Sequence, residues 1–212
     1  MTVGCAARGH ARRSQQKRFR MCVSISHDRP RLIPLRHRYL NMLQPGQQAP
    51  TFELPGAGGG RIDAHGLTEY ADNGWAVVVV FYPFDFHPVC TSQMCTLRDS
   101  EALSLLEDTV VLGISTDGVY SHRAFAEKHR IDFPLLSDSD GRVAEAYGVR
   151  ADELDDHRGV ARSAVFVVDP DRTVQYAWRS EETADEPDLE AVEHAAQCHG
   201  DECELPDGKS YL

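Results

Sequence analysis

The sequence predicts an α/β fold: a mixed central β-sheet flanked by helices and preceded by an N-terminal β-hairpin. Three observations carry this reading. Apolar stretches of strand length alternate with helical segments through the middle of the chain, the order that builds parallel strands. The run Trp75-Ala76-Val77-Val78-Val79-Val80-Phe81-Tyr82 is apolar throughout, as a strand buried on both faces must be. Later, Asp169-Pro170-Asp171-Arg172 turns one apolar stretch back on the next, which adds an antiparallel pair.

Taken in order, residues 51–62 read as strand, turn and strand. The turn is Gly56-Ala57-Gly58-Gly59-Gly60, with no following helix carrying Lys or Ser/Thr that would make it a phosphate cradle. The strand at 75–82 is stopped by Pro83 and Pro88. From Thr91 a helix is expected through Met94, Leu97, Glu101, Ala102 and Leu105. Val110-Val111-Leu112-Gly113-Ile114-Ser115 is the next strand, residues 121–129 a helix and 142–147 a short helix. Residues 163–168 and 173–178 form the antiparallel pair. Leu189, Val192 and Ala196 then recur at helical spacing, giving a last helix with one apolar face for the sheet.

Charge divides the 212 residues. Residues 1–41 hold ten Lys and Arg against the single acid Asp28, a net of +9, whereas residues 42–212 carry −20, together the −11 of the whole chain. We expect residues 42–197 to form one domain, with 1–41 a basic extension and 198–212 a tail. The extension is aperiodic, and Met42-Leu43-Gln44-Pro45 offers a start directly before the patterned region. It is therefore read as an upstream addition from a misplaced start, ahead of a disordered tail or an organelle transit peptide. It has no apolar stretch that would make Arg12-Arg13 an export signal. The long second segment has only two lysines, Lys128 and Lys209, an acidic surface suited to high salt, and a halophilic source is expected. Such a surface argues against nucleic-acid binding. No stretch approaches the ~20 apolar residues of a membrane span, so a soluble cytoplasmic protein is expected.

Six cysteines in a chain of this size point to redox chemistry in place of a disulfide scaffold. Cys5 and Cys22 fall in the extension. Cys198 and Cys203, near His194 and His199, match no common zinc spacing and read as thiols on the tail. Cys90 differs from these, because it follows a buried strand and a Pro-rich turn and begins a helix, with Cys95 five residues on. Unpaired N–H groups and the positive end of the dipole there favour an anion, so its thiol pKa is expected to fall below the ordinary value of about 8.5. The competing reading is a buried apolar core cysteine.

The stretch Pro83-x-x-x-His87-x-x-Cys90 resembles the Pro-x-x-x-Thr-x-x-Cys signature of peroxiredoxins, with histidine in place of threonine. A second cysteine five residues on is similar to the peroxiredoxin Q, or bacterioferritin comigratory protein, branch. Pro45-Gly46-Gln47-Gln48-Ala49-Pro50-Thr51-Phe52, Phe133-Pro134-Leu135-Leu136-Ser137-Asp138 and Arg162-Ser163-Ala164-Val165-Phe166-Val167-Val168-Asp169 resemble further parts of that family.

The resemblance implies a thioredoxin-like fold and a thiol peroxidase acting on hydrogen peroxide or an alkyl hydroperoxide, recycled by a thioredoxin-like dithiol. It requires no cofactor and is compatible with a monomer or homodimer. It also implies roles for residues: Cys90 as the attacking thiolate, Cys95 as its resolving partner, Arg162 as the cation and His87 as a donor to peroxide. Pro83, Val89 and Gln93 would line the substrate site. Five helical residues rise about 7.5 Å, more than the roughly 7 Å Cα separation a disulfide spans, so the helix must unwind before Cys95 can reach Cys90. Two alternatives are a metallochaperone binding copper through Cys90, Cys95 and a histidine, and a redox sensor signalling through the same disulfide.

Overall fold

The structure, a computed structural model, describes residues 42–181 and 185–197. The expectations for residues 1–41 and for Cys198 and Cys203 lie outside the described residues. Strand β1 (Glu53–Gly58) turns into β2 (Arg61–Gly66), followed by helix α1 (Leu67–Ala71) and strand β3 (Ala76–Phe81). Helices α2 (Pro88–Arg98) and α3 (Glu101–Ser104) lead to β4 (Thr109–Ser115), α4 (Val119–His129), β5 (Leu135–Ser137) and α5 (Arg142–Ala146). The chain continues through β6 (Ala164–Val168), β7 (Val174–Arg179) and α6 (Leu189–Gln197).

The seven strands form one mixed sheet in the order β2-β1-β5-β4-β3-β6-β7. Parallel pairing joins β3 to β4 and β4 to β5, while β6 runs antiparallel to β3 and β7 antiparallel to β6. The N-terminal hairpin extends this sheet, through antiparallel pairing of Gly56 and Ala57 with Leu136 and Leu135.

Strand β3 is central and shows why an uninterrupted apolar run was required. Val78 and Val80 face one core, with Met94, Phe125 and Val192, and Val77, Val79 and Phe81 face the other, with Leu67, Tyr147 and Phe166. Side chains that alternate between two covered faces leave no position for a polar residue. Gly113 on β4 has a steric purpose, since a Cβ there would come within 2.8 Å of Met94 Cε and 2.6 Å of Leu135 Cδ2. Its bare backbone lets α2 lie close against the sheet.

Two sequence expectations need correction, and one element is new. The five-residue glycine-rich turn contracts to Gly59 and Gly60, with φ of +57° and +76°, and its first three residues belong to β1. A two-residue hairpin loop of type I′ needs two positive φ angles, which glycine adopts without penalty. The helix drawn from Thr91 through Leu105 divides after Arg98. Arg98 clamps the Asp99 carboxylate and donates to the His129 carbonyl, and the Ser100 hydroxyl accepts the Leu103 amide at 3.3 Å to start α3 anew. The short helix α1, before β3, was not anticipated.

Candidate active site

The end of β3 delivers the chain into a loop that is held tightly. Tyr82 and Pro83 are buried, and the Tyr82 amide still donates to the Ile114 carbonyl at 3.1 Å. Phe86 adopts a left-handed backbone with φ of 62°, which costs a non-glycine residue about 1 kcal/mol. Its ring is anchored edge-on against Phe125, 5.2 Å between centroids, with the Lys128 ammonium 5.3 Å from the ring centre. His87 caps α2 in extended conformation and Pro88 takes the first helical position, where its missing N–H costs nothing. Cys90 is the third residue of the helix.

There the thiol is 2% exposed, packed in the core that includes Val80, Tyr82 and Phe125. The His87 Nδ1 lies 3.7 Å from Cys90 Sγ. Burial pushes the thiol up, and the Asp117 and Asp85 carboxylates add to the effect; backbone hydrogen bonds at Phe84 and Cys90 pull the other way without overcoming it. This corrects the expectation of a lowered thiol pKa. A helix start does supply local N–H donors, but desolvation and two acids gathered by the fold outweigh them.

Cys95 is half-buried on the same helix, and both cysteines are free thiols. Between them Gln93 ties α2 to two distant segments. Its Nε2 donates to the Asp185 carbonyl at 3.0 Å, and the Ser163 hydroxyl donates to its Oε1 at 3.4 Å. Ser163 adjoins Arg162, which is half-buried and donates its amide to the Val149 carbonyl at 2.9 Å. Because Ala164 pairs with Phe81, Arg162 sits at the end of the sheet where β3 enters the Cys90 loop. Its guanidinium makes no hydrogen bond or ion pair with another described residue. The structure thus brings His87 to Cys90 and links Gln93 to the Arg162 segment, but shows no Arg162–Cys90 contact. Pro83 lies buried in the loop and Val89 half-buried at the second position of α2.

Sequence reasoning missed a polar cluster behind this loop. Asp85 accepts from the Tyr82 hydroxyl at 2.9 Å and the Ser121 hydroxyl at 2.7 Å, and its amide donates to Asp117 Oδ2 at 2.7 Å. His122, fully buried, lies beside the same carboxylate. The available signal was slight: Ser115, Asp117 and Ser121 are polar residues of the kind ordinarily found at a strand end and a helix start, and only His122, at helical spacing with Phe125 and Ala126, stands on an apolar face. In front of the loop, Phe84, Phe86, His87, Asp155 and His157 line an open hollow, with the Phe84 and His157 rings 4.5 Å apart. Among the described residues no group of three or more His, Cys, Asp or Glu could hold a metal ion, and no helix is long and apolar enough to cross a membrane.

A model of the AhpC/TSA family matches residues 45–177. The putative peroxiredoxin bcp of Coxiella burnetii is 35% identical over 139 residues, covering 64% of this chain and 88% of the relative. Peroxiredoxin Bcp of Escherichia coli strain K12 is 35% identical over 153 residues, 71% of this chain and 94% of the relative. Among solved structures, peroxidoxin BcpB from Mycobacterium tuberculosis superposes with a TM-score of 0.59 at 33% identity, covering 67% of this chain and 90% of that one.

Proposed function

The chain belongs to the AhpC/TSA family, has its thioredoxin-like fold and is a thiol-dependent peroxidase of the Bcp and peroxiredoxin Q branch, and on that premise we propose that Cys90 is the thiol that reacts. The observation that carries this is its position: a free cysteine in the first turn of α2 with an imidazole nitrogen 3.7 Å from its sulfur. The Cys90 thiolate attacks one peroxide oxygen; an S–O bond forms, the O–O bond breaks and the other oxygen leaves as hydroxide or alkoxide, taking up a proton. Cys90 is left as a sulfenic acid. The Cys95 thiolate attacks the sulfenic sulfur, forming an S–S bond and breaking the S–O bond, the oxygen leaving as hydroxide that takes up a proton to become water, and a thioredoxin-type dithiol reduces the disulfide by exchange.

The surrounding residues divide the work of holding charge. His87 donates to the thiolate or the departing oxygen, Arg162 supplies a permanent cation, and Pro83, Val89 and Gln93 shape the peroxide site. Arg162 serves because a guanidinium stays charged when partly desolvated. Exchange with a dithiol needs a reducing compartment, which supports a cytoplasmic location, and we read the working unit as a monomer or homodimer. Stopped-flow oxidation of the reduced protein by hydrogen peroxide and by an alkyl hydroperoxide tests the reading. Both should oxidise Cys90, and inertness to both would reject it.

Two variants probe the assigned donors. Arg162→Ala should slow oxidation of Cys90 by about 10²-fold, the usual cost of removing one charge-stabilising donor; rates within twofold of wild type would place the guanidinium outside the reaction. For His87→Thr the informative quantity is the pH profile. An imidazole that contacts the sulfur adds its own ionisation to the rate of oxidation, and the threonine variant should lose that inflection. Superimposable profiles would show that the ring plays no part.

A further inference from the structure

Behind the thiol loop lies a buried pair that the steps above do not use. His122 has no exposed surface and the Asp85 side chain is 2% exposed. The His122 Nε2 is 3.1 Å from the Leu136 carbonyl oxygen, which can only accept, so Nε2 carries a proton. Nδ1 lies 3.1 and 3.0 Å from the two Asp85 oxygens and 3.3 Å from the Tyr82 hydroxyl. That carboxylate already accepts from the Tyr82 and Ser121 hydroxyls, and donors converging on a carboxylate favour its charged form. The single Tyr82 hydroxyl proton has its shorter bond, 2.9 Å, to Asp85, so a hydrogen bond between the ring and that carboxylate needs a proton on Nδ1.

We propose that His122 is a positioning residue for the peroxidase reaction: an imidazolium fixed between Asp85 and the Leu136 carbonyl, it cancels the negative charge beneath the thiol loop and so favours the Cys90 thiolate. The proposal rests on the reading of Cys90 as the reacting thiol. The charges around the pair come from every element that meets there. Tyr82 and Asp85 follow β3, Ser121 lies on α4 beside His122, the Leu136 carbonyl comes from β5, and Asp117 reaches in from the turn after β4 to hold the Asp85 amide. Among the described residues, Asp85 has no ion pair with Lys or Arg. Its charge and that of Asp117 both oppose ionisation at Cys90, after burial itself. A neutral side chain at position 122 would leave the Asp85 charge uncompensated as well as that of Asp117.

The test uses the full-length reduced protein. Nitrogen-15 NMR of the wild-type imidazole should show both His122 ring nitrogens protonated between about pH 6 and 8; one bare nitrogen overturns the proposal whatever the variants do. Alkylation of Cys90 by iodoacetamide, mapped to that residue by mass spectrometry across pH, reads its thiolate directly. In His122→Gln the midpoint should rise by about one pH unit, with about tenfold slower alkylation at neutral pH. In Asp85→Asn/His122→Gln the cluster regains its wild-type net charge, with Asp117 alone uncompensated in both, and the midpoint should return towards wild type. A purely structural role would leave the double variant at least as impaired as the single one. No rise in the single variant, or no return in the double, overturns the proposal. Alkylation does not depend on turnover, so failure of the peroxidase reading would show separately, as peroxide consumption that survives Cys90→Ser.

Discussion

Cys90→Ser is expected to reduce peroxide consumption to the background rate. Serine has nearly the same shape, so the core around position 90 should remain filled, but its hydroxyl does not ionise at neutral pH and the nucleophile is lost. The buried position makes the fold control essential. Cys90 shares a cluster with Val80, Tyr82, Met94 and Phe125, and a badly packed replacement would unfold the protein and mimic a catalytic effect. Thermal unfolding within a few degrees of wild type, together with absent peroxidase activity, is the expected pair of results. Activity retained by a folded Cys90→Ser would move the chemistry to another cysteine.

Cys95→Ser should separate the two halves of the cycle. The first equivalent of peroxide is consumed at the wild-type rate, because nothing at Cys90 has changed, and thioredoxin-coupled turnover then stops. In wild type one equivalent should yield a Cys90–Cys95 disulfide, seen by peptide mapping without reductant. Both cysteines lie within the continuous helix Pro88–Arg98, so closure requires its first turns to open. Two features ease that opening: His87 provides no side-chain cap for the free N–H groups, and a loop of five residues closes with little loss of chain entropy. Linkage of Cys90 to Cys198 or Cys203, or full turnover in Cys95→Ser, would transfer the resolving role to the tail.

The strand, turn and helix around Cys90 were legible in sequence because each is a local signal: an apolar run, two prolines and a helical period. The sheet's parallel middle and antiparallel flank followed from the order of such segments. The direction of the Cys90 pKa was not legible. It depends on Asp117, 27 positions away and delivered by the pairing of β3 with β4, and on burial that only the assembled core creates. His122 was hidden for a similar reason. On α4 it occupies the core-facing side beside Phe125 and Ala126, and only the approach of Asp85 and Leu136 turns that position into a charged one. The break at Asp99 was missed because both neighbouring segments have helical propensity, and the interruption depends on Arg98 reaching across to α4.

If Cys95 resolves Cys90 as proposed, Gln93 gives the thiols an external indicator of their oxidation state. It lies between the two cysteines on α2, so any unwinding that carries Cys95 to Cys90 also draws Gln93 away from the Ser163 hydroxyl and the Asp185 carbonyl. Those two partners lie on segments leading into β6 and α6, outside the moving helix. Forming the disulfide would thus release contacts on a neighbouring part of the surface, and reducing it would restore them. A docking reductant would then meet one face on the oxidised enzyme and another on the reduced one, a difference by which it would engage its substrate and let go of its product.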